Sequence, residues 1–144
     1  MSNKYIVACD GSPASARALQ FAIDQAKTDG SSIIIAHVLE WSPYSFLTPE
    51  ELDERHKLRN DELKRAQTAV IDPLVKSATS EGIKADSVIR YGHVAKTLAD
   101  IAEKEAASQL FIGRTGHSRL ATRVLGSVAG TMAQIAPVPC TIVP

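Results

Sequence analysis

The sequence is short of cysteine, of long apolar runs and of any surplus of one charge, and each shortage removes a class of protein. Its two cysteines, Cys9 and Cys140, stand in apolar runs without a CxxC pair or a Cys/His ladder. Zinc and redox motifs are therefore unsupported, and both thiols read as small core hydrophobes. Apolar runs such as Ile33-Ile34-Ile35-Ala36 fall far short of the roughly 20 residues that span a bilayer, so no membrane insertion is expected. The chain enters a strand-like run almost at once, at Tyr5, which leaves no room for a signal peptide; a cytoplasmic location is the expectation. Lys and Arg balance Asp and Glu at 16 each, which argues against a general affinity for nucleic acid or membrane. No Gly-x-x-x-x-Gly-Lys-Ser/Thr pattern occurs, and no Gly-x-Gly-x-x-Gly follows the first strand, which argues against P-loop chemistry and against dinucleotide binding. In Gly126-Ser127-Val128-Ala129-Gly130 the serine comes one place too early for a nucleophile elbow. No paired carboxylates or Ser/His/Asp set can be brought together from the sequence.

What is present is the composition of one globular domain. The 144 residues are 44% apolar and 22% charged, enough for a real core, and a single domain over 1–144 accounts for all of them. The charge is unevenly spread. After Glu105 there is no Asp, Glu or Lys, while Arg114, Arg119 and Arg123 remain. That stretch carries +3 and, the whole being neutral, the rest carries −3. Positive charge gathered around glycines points to an anion.

Short β-branched runs alternate with longer helical stretches, the pattern of a parallel sheet covered by helices. Tyr5 to Cys9 reads as a first strand, and Ser12-Pro13 as an N-cap with proline at the first helical position. Leu19, Ala22, Ile23 and Ala26 then share a face up to a stop at Gly30. Ser32 to Leu39 is a strand apolar on both faces, hence interior. Thr48-Pro49-Glu50-Glu51 starts a helix with a capping box that runs to Glu81, kinked or interrupted at Pro73. The charge run from Glu50 to Arg65 reads as its wet side. Ala85 to Tyr91, with Asp86 and Arg90 in it, suits a sheet edge. A helix with Val94, Leu98, Ile101 and Ala102 follows, then a short strand at Leu110 to Ile112. The last elements are a helix from Ser127 and a closing strand at Cys140 to Val143.

In an open parallel sheet, ligands bind beyond the carboxyl ends of the strands where strand order reverses. The segments leaving strands one and four, Asp10-Gly11-Ser12 and Gly113 to Arg119, converge there if both strands are central. Glycine lets backbone approach an anion and takes positive φ, so that successive amides form a nest. Gly126 and Ser127 open a helix whose amides and dipole favour negative charge. Micromolar binding requires about 8 kcal/mol, whereas one helix terminus supplies about 0.3–1 kcal/mol per nearby charge. Several donors and a base pocket must act together. Bland alternatives stand beside these readings. The glycines serve equally as turns, and Asp10 as a turn-former. His117 reaches either a phosphate or solvent, and Trp41, Tyr44 and Phe46 either cover a pocket or pack their own loop. His37 reads as a structural histidine, and His56 and His93 as solvated.

Two glycines separated by two residues, then nine residues, then Gly-Ser, here Gly113, Gly116, Gly126 and Ser127, resemble the nucleotide-binding signature of the universal stress protein family. Phe111-Ile112, the Asp10-Gly11-Ser12 turn, His37-Val38 and Pro137 to Val143 resemble that family too, so the likeness covers essentially the whole chain. The resemblance implies a Rossmann-like open sheet of five parallel strands in the order 3-2-1-4-5 with helices on both faces. It implies that Asp10 contacts ribose or a nucleotide-bound Mg2+, and that Val38 reads adenine through its backbone. Ile112 and Val128 would line the pocket, and Gly113, Gly116, His117, Gly126, Ser127 and Val128 would surround the phosphates. The ligand would be ATP, with ADP or AMP as alternatives. The partners would be an unidentified regulatory protein and a second copy, paired through the C-terminal strand. A slow ATPase or phosphotransferase, or a dimer that holds no nucleotide, are the rival functions.

Overall fold

The computed structural model describes residues 3–40, 48–116 and 127–144. Alternation of apolar residues becomes a sheet because odd and even positions of each strand feed different cores. In β1 (Lys4–Ala8) and β2 (Ser32–Glu40), Tyr5, Val7, Ile33 and Ile35 enter one buried cluster and Ile6 and Ala36 the other. The first core is covered by α1 (Pro13–Asp29) and α3 (Asp72–Ser80), the second by α4 (Val94–Lys104) and α5 (Ser127–Ile135). With β3 (Ala85–Gly92), β4 (Gln109–Gly113) and β5 (Cys140–Val143), the sheet has the order β3-β2-β1-β4-β5. Every pairing is parallel. The order reverses between β1 and β4, where a crevice must open.

Local signals place α1 as expected. The Ser12 hydroxyl accepts from Ser15 N–H, Pro13 begins the helix, and Gly30 ends it at φ 76° with its N–H on the Ala26 carbonyl. β3 is an edge strand, in keeping with Asp86 and Arg90. The helix expected from Thr48 to Glu81, kinked or interrupted at Pro73, is helical from Pro49 to Ser80 with a π-helical stretch just before the proline. α2 (Pro49–Arg65) carries the full capping box, with Thr48 and Glu51 bonding each other's backbone N–H. It gives way to a π-helical turn at Ala66–Ile71 before α3. The wider turn has its cause in Pro73, which has no N–H to donate and whose ring crowds the carbonyl four residues earlier. The charge run of α2 is exposed, as expected of a wet side: none of its residues is buried, and the partly buried Arg55, Arg59 and Leu63 share one face. Tyr91 tethers it, donating to the Arg59 carbonyl at 3.1 Å under the Arg59 guanidinium.

Candidate functional site

At the sheet's reversal point lies a cavity of about 310 Å³ at the carboxyl ends of β1, β2 and β4. Its apolar wall is Ala36, Val38, Val94, Leu98, Ile112 and Val128. Asp10, Ser15, Glu40, Gly113 to Gly116 and Ser127 are among the residues that line the rest, with Cys9 at the end of β1. The structure thus brings together Asp10, Val38, Ile112, Gly113, Gly116, Ser127 and Val128. His117 and Gly126, the other two expected site residues, lie outside the described residues, as do Arg119, Arg123, Trp41, Tyr44 and Phe46.

Asp10 is held by the start of α1. Its Oδ1 accepts from Ser12 N–H at 2.9 Å, and its own N–H points at Ser15 Oγ, 3.4 Å away. Ser15 Oγ in turn donates to the Ser12 carbonyl at 2.9 Å. The turn-forming role and a place in the cavity wall therefore coexist in one side chain.

The two glycines of the β4 loop behave differently from the expectation. Positive φ among described glycines occurs at Gly11, Gly30, Gly82 and Gly92, not at Gly113 or Gly116, so neither supplies the left-handed step of a nest. At Gly113 close packing requires glycine, whereas at Gly116 a Cβ would displace a carboxylate tip. A Cβ on Gly113 would stand 2.9 Å from the backbone carbon of Ala14, in the first turn of α1, and one on Gly116 would stand 2.8 Å from Asp10 Oδ2. Gly113 lets β4 dock on the helix, and Gly116 leaves room for the aspartate. Arg114 N–H is committed to the Val143 carbonyl at 2.7 Å, and the residue lines the cavity. Across the crevice α5 begins at Ser127, so the start of the helix, the positive end of its dipole, borders the cavity.

His37 is buried, at 8% exposure, and its Nδ1 lies 2.6 Å from the Cys9 carbonyl oxygen. The structural reading of this histidine holds. His93 is exposed as expected, but it also caps α4, its Nδ1 accepting from Lys96 N–H at 3.4 Å. Cys9 is buried, and burial first, then the neighbouring Asp10 charge, pushes its thiol up to about 12. Cys140, expected in the core, is half-buried on the edge strand and packs against the second core, and desolvation raises its thiol too. Ser15 and Thr115 line the cavity without having been singled out in the sequence. Ser15 was legible as the third residue after the Ser12 cap, where a hydroxyl folds back on the helix start. Among the described residues no cluster of three His, Cys, Asp or Glu could hold a metal, and no helix is long and apolar enough to cross a membrane.

The sequence profile of the universal stress protein family matches residues 1–144. The chain belongs to this family. It is 32% identical over 151 aligned residues to Universal stress protein YxiE of Bacillus subtilis, covering 99% of each chain. Among solved structures, UspA, a universal stress protein of Lactobacillus plantarum, superposes with a TM-score of 0.87 at 20% identity, covering 99% of this chain and 97% of that one. A universal stress protein of Archaeoglobus fulgidus, solved in complex with dAMP, superposes at 0.66 with 18% identity, over 100% of this chain and 98% of its own. These structural likenesses carry the five-stranded fold.

Proposed function

We propose that this universal stress protein binds an adenine nucleotide, ATP in the first instance, and acts as a nucleotide-dependent regulatory homodimer in the cytoplasm. The observation that carries the reading is the cavity at the reversal point, apolar at one end and donor-rich at the other. The base would lie against Val38, Ile112, Val94 and Val128, reading the Val38 backbone. The ribose would reach Asp10, and the phosphates would meet Gly116, Ser127 and the start of α5, where amides and dipole favour an anion. Gly113, Gly126 and His117 complete the phosphate side in this proposal. A neighbour of the same fold that is solved with dAMP supports the ligand class.

Mg2+ fits only as a companion of the nucleotide. Asp10 and Glu40 are the acidic residues among the described lining of the cavity, and Mg2+ is commonly held by one or two carboxylates together with substrate phosphates. Bound there, it would add positive charge against the phosphates. The second copy would pair along β5, the sheet edge opposite β3, whose outward amides need partners. Denaturing the purified protein and separating released nucleotide by chromatography tests the ligand. An empty chromatogram, with calorimetry silent for ATP, ADP and AMP, would sink the reading. Sedimentation at tens of micromolar tests the dimer, and a monomer there refutes it.

A further inference from the structure

We infer that His37 is a positioning residue: by taking the Cys9 carbonyl out of the β1–β2 ladder it leaves the Val38 N–H open to the base of a bound nucleotide. This rests on the adenine reading proposed above and adds the device that prepares the site.

The parity of the ladder makes the case. In β2 the odd residues point their backbone groups at β3, as Ile33 N–H does to the Lys84 carbonyl at 2.9 Å. Even residues point at β1: Ser32 N–H bonds the Asn3 carbonyl at 2.9 Å, and the Ala36 carbonyl accepts from Cys9 N–H at 2.8 Å. Val38, two residues on, must point the same way, and the next regular rung would be Val38 N–H to the Cys9 carbonyl. That rung is absent among the described backbone bonds. The Cys9 carbonyl instead accepts from His37 Nδ1 at 2.6 Å. A carbonyl only accepts, so Nδ1 carries the proton.

The His37 side chain lies on the α1 side of the sheet with Ile33 and Ile35, and the bond draws the carbonyl toward that side. Val38, Cys9 and Asp10 all line the cavity. An amide N–H and a carbonyl from one residue, both aimed at the same crevice, present a donor beside an acceptor. Adenine offers a ring-nitrogen acceptor beside its amino donor, and guanine presents the reverse pair. His37 thereby sets base preference without touching the base.

The test compares wild type, His37→Phe and His37→Asn. Phenylalanine cannot donate to Cys9, so the rung closes, while the asparagine amide can donate from nearly the position of Nδ1. His37→Phe is expected to lower ATP affinity about tenfold and to shrink the ATP-over-GTP preference by a similar factor. His37→Asn should restore both. An unchanged preference in His37→Phe overturns the inference. Amide hydrogen exchange supplies a readout independent of ligand. In nucleotide-free wild type, Val38 N–H should exchange much faster than Ala36 N–H, and His37→Phe should slow it. Equal protection of Val38 and Ala36 in wild type overturns the inference even if the variant fails to fold. Failure of the nucleotide reading itself would look different: wild type would bind no ATP, whatever Val38 exchange shows.

Discussion

Gly113→Ala should destabilise the protein, and the size of the loss can be worked from the packing of β4 on α1. The added Cβ would lie 2.9 Å from both the backbone carbon and the Cβ of Ala14, and 3.0 Å from its carbonyl oxygen. Comfortable carbon contacts need about 3.5–4.0 Å, so the strand and the helix must separate by roughly 0.5–1 Å. Neither yields easily. The first turn of α1 is fixed by the Ser12 cap and by Ser15 Oγ on the Ser12 carbonyl, and Gly113 is paired with Val143 in the β4–β5 ladder. Since φ is not in the left-handed region, the cost is steric alone. Overpacking of this kind costs about 1–3 kcal/mol, a large part of the roughly 5–15 kcal/mol that holds a domain together.

Urea denaturation should show a lower midpoint with an unchanged slope, and the melting temperature should fall by about 2–4 °C per kcal/mol. Gly130→Ala is the internal control. Gly130 lies inside α5, and a Cβ there meets nothing within 4 Å. It should gain about 0.5–1 kcal/mol from helix propensity and lost backbone freedom. Opposite signs at two glycines seventeen residues apart test the packing argument directly. Equal shifts of the same sign, or a Gly113→Ala change within about 0.5 kcal/mol of zero, would refute it.

Gly116→Val should remove ATP binding in calorimetry while the unfolding midpoint holds, because its Cβ would meet Asp10 Oδ2 at 2.8 Å at an exposed position; unchanged affinity would show that the loop is not the site. ATP affinity should fall with added salt if Arg114 and the α5 terminus engage phosphate, and a flat salt profile would contradict that role. Thr48→Ala removes a cap worth about 0.5–2 kcal/mol, but α2 buries nothing; exchange protection in its first turn should drop while the global midpoint stays put. Cys9 binds its proton more tightly folded, with a pKa of about 12 against 9.0, so above pH 9 the unfolded chain holds fewer protons and stability falls as pH rises. The slope is at most about 1.4 kcal/mol per pH unit up to pH 12. A Cys9→Ala variant should decline less steeply there, and identical decline would refute the buried-thiol account.

The sheet was legible because its determinants are local and repetitive. Alternating Ile and Val in β1 and β2, the Ser12-Pro13 start and the Gly30 stop each carry their structural meaning within a few residues. The π-helical stretch before α3 was half legible. Pro73 announces that the helix cannot continue unaltered, but whether it kinks, stops or widens into a π turn depends on what the two flanking helices pack against. The charge run of α2 did mark an exposed segment, but it does not say what holds that segment down, and here the tether comes from Tyr91 on β3.

The site shows where sequence reasoning stops. The Gly-x-x-Gly spacing pointed to a loop that lines the cavity, but the expected positive φ is absent at Gly113 and Gly116, where an added Cβ would instead meet Ala14 and Asp10. Both neighbours, Ala14 and Asp10, come from the β1–α1 turn about a hundred residues earlier, so no window of sequence contains the contact. The same holds for His37 and Cys9, which are 28 residues apart. A histidine at the end of a buried strand reads as structural, and it is structural, but what it structures is the edge of the cavity. At this corner the distinction between fold and site fails: Gly113 sets the helix, the helix start sets Asp10, Gly116 leaves it room, and His37 sets the rung above. A substitution at any one of these should therefore register first in stability or first in binding according to how many of the others its displaced atoms reach, and Gly113 reaches the most.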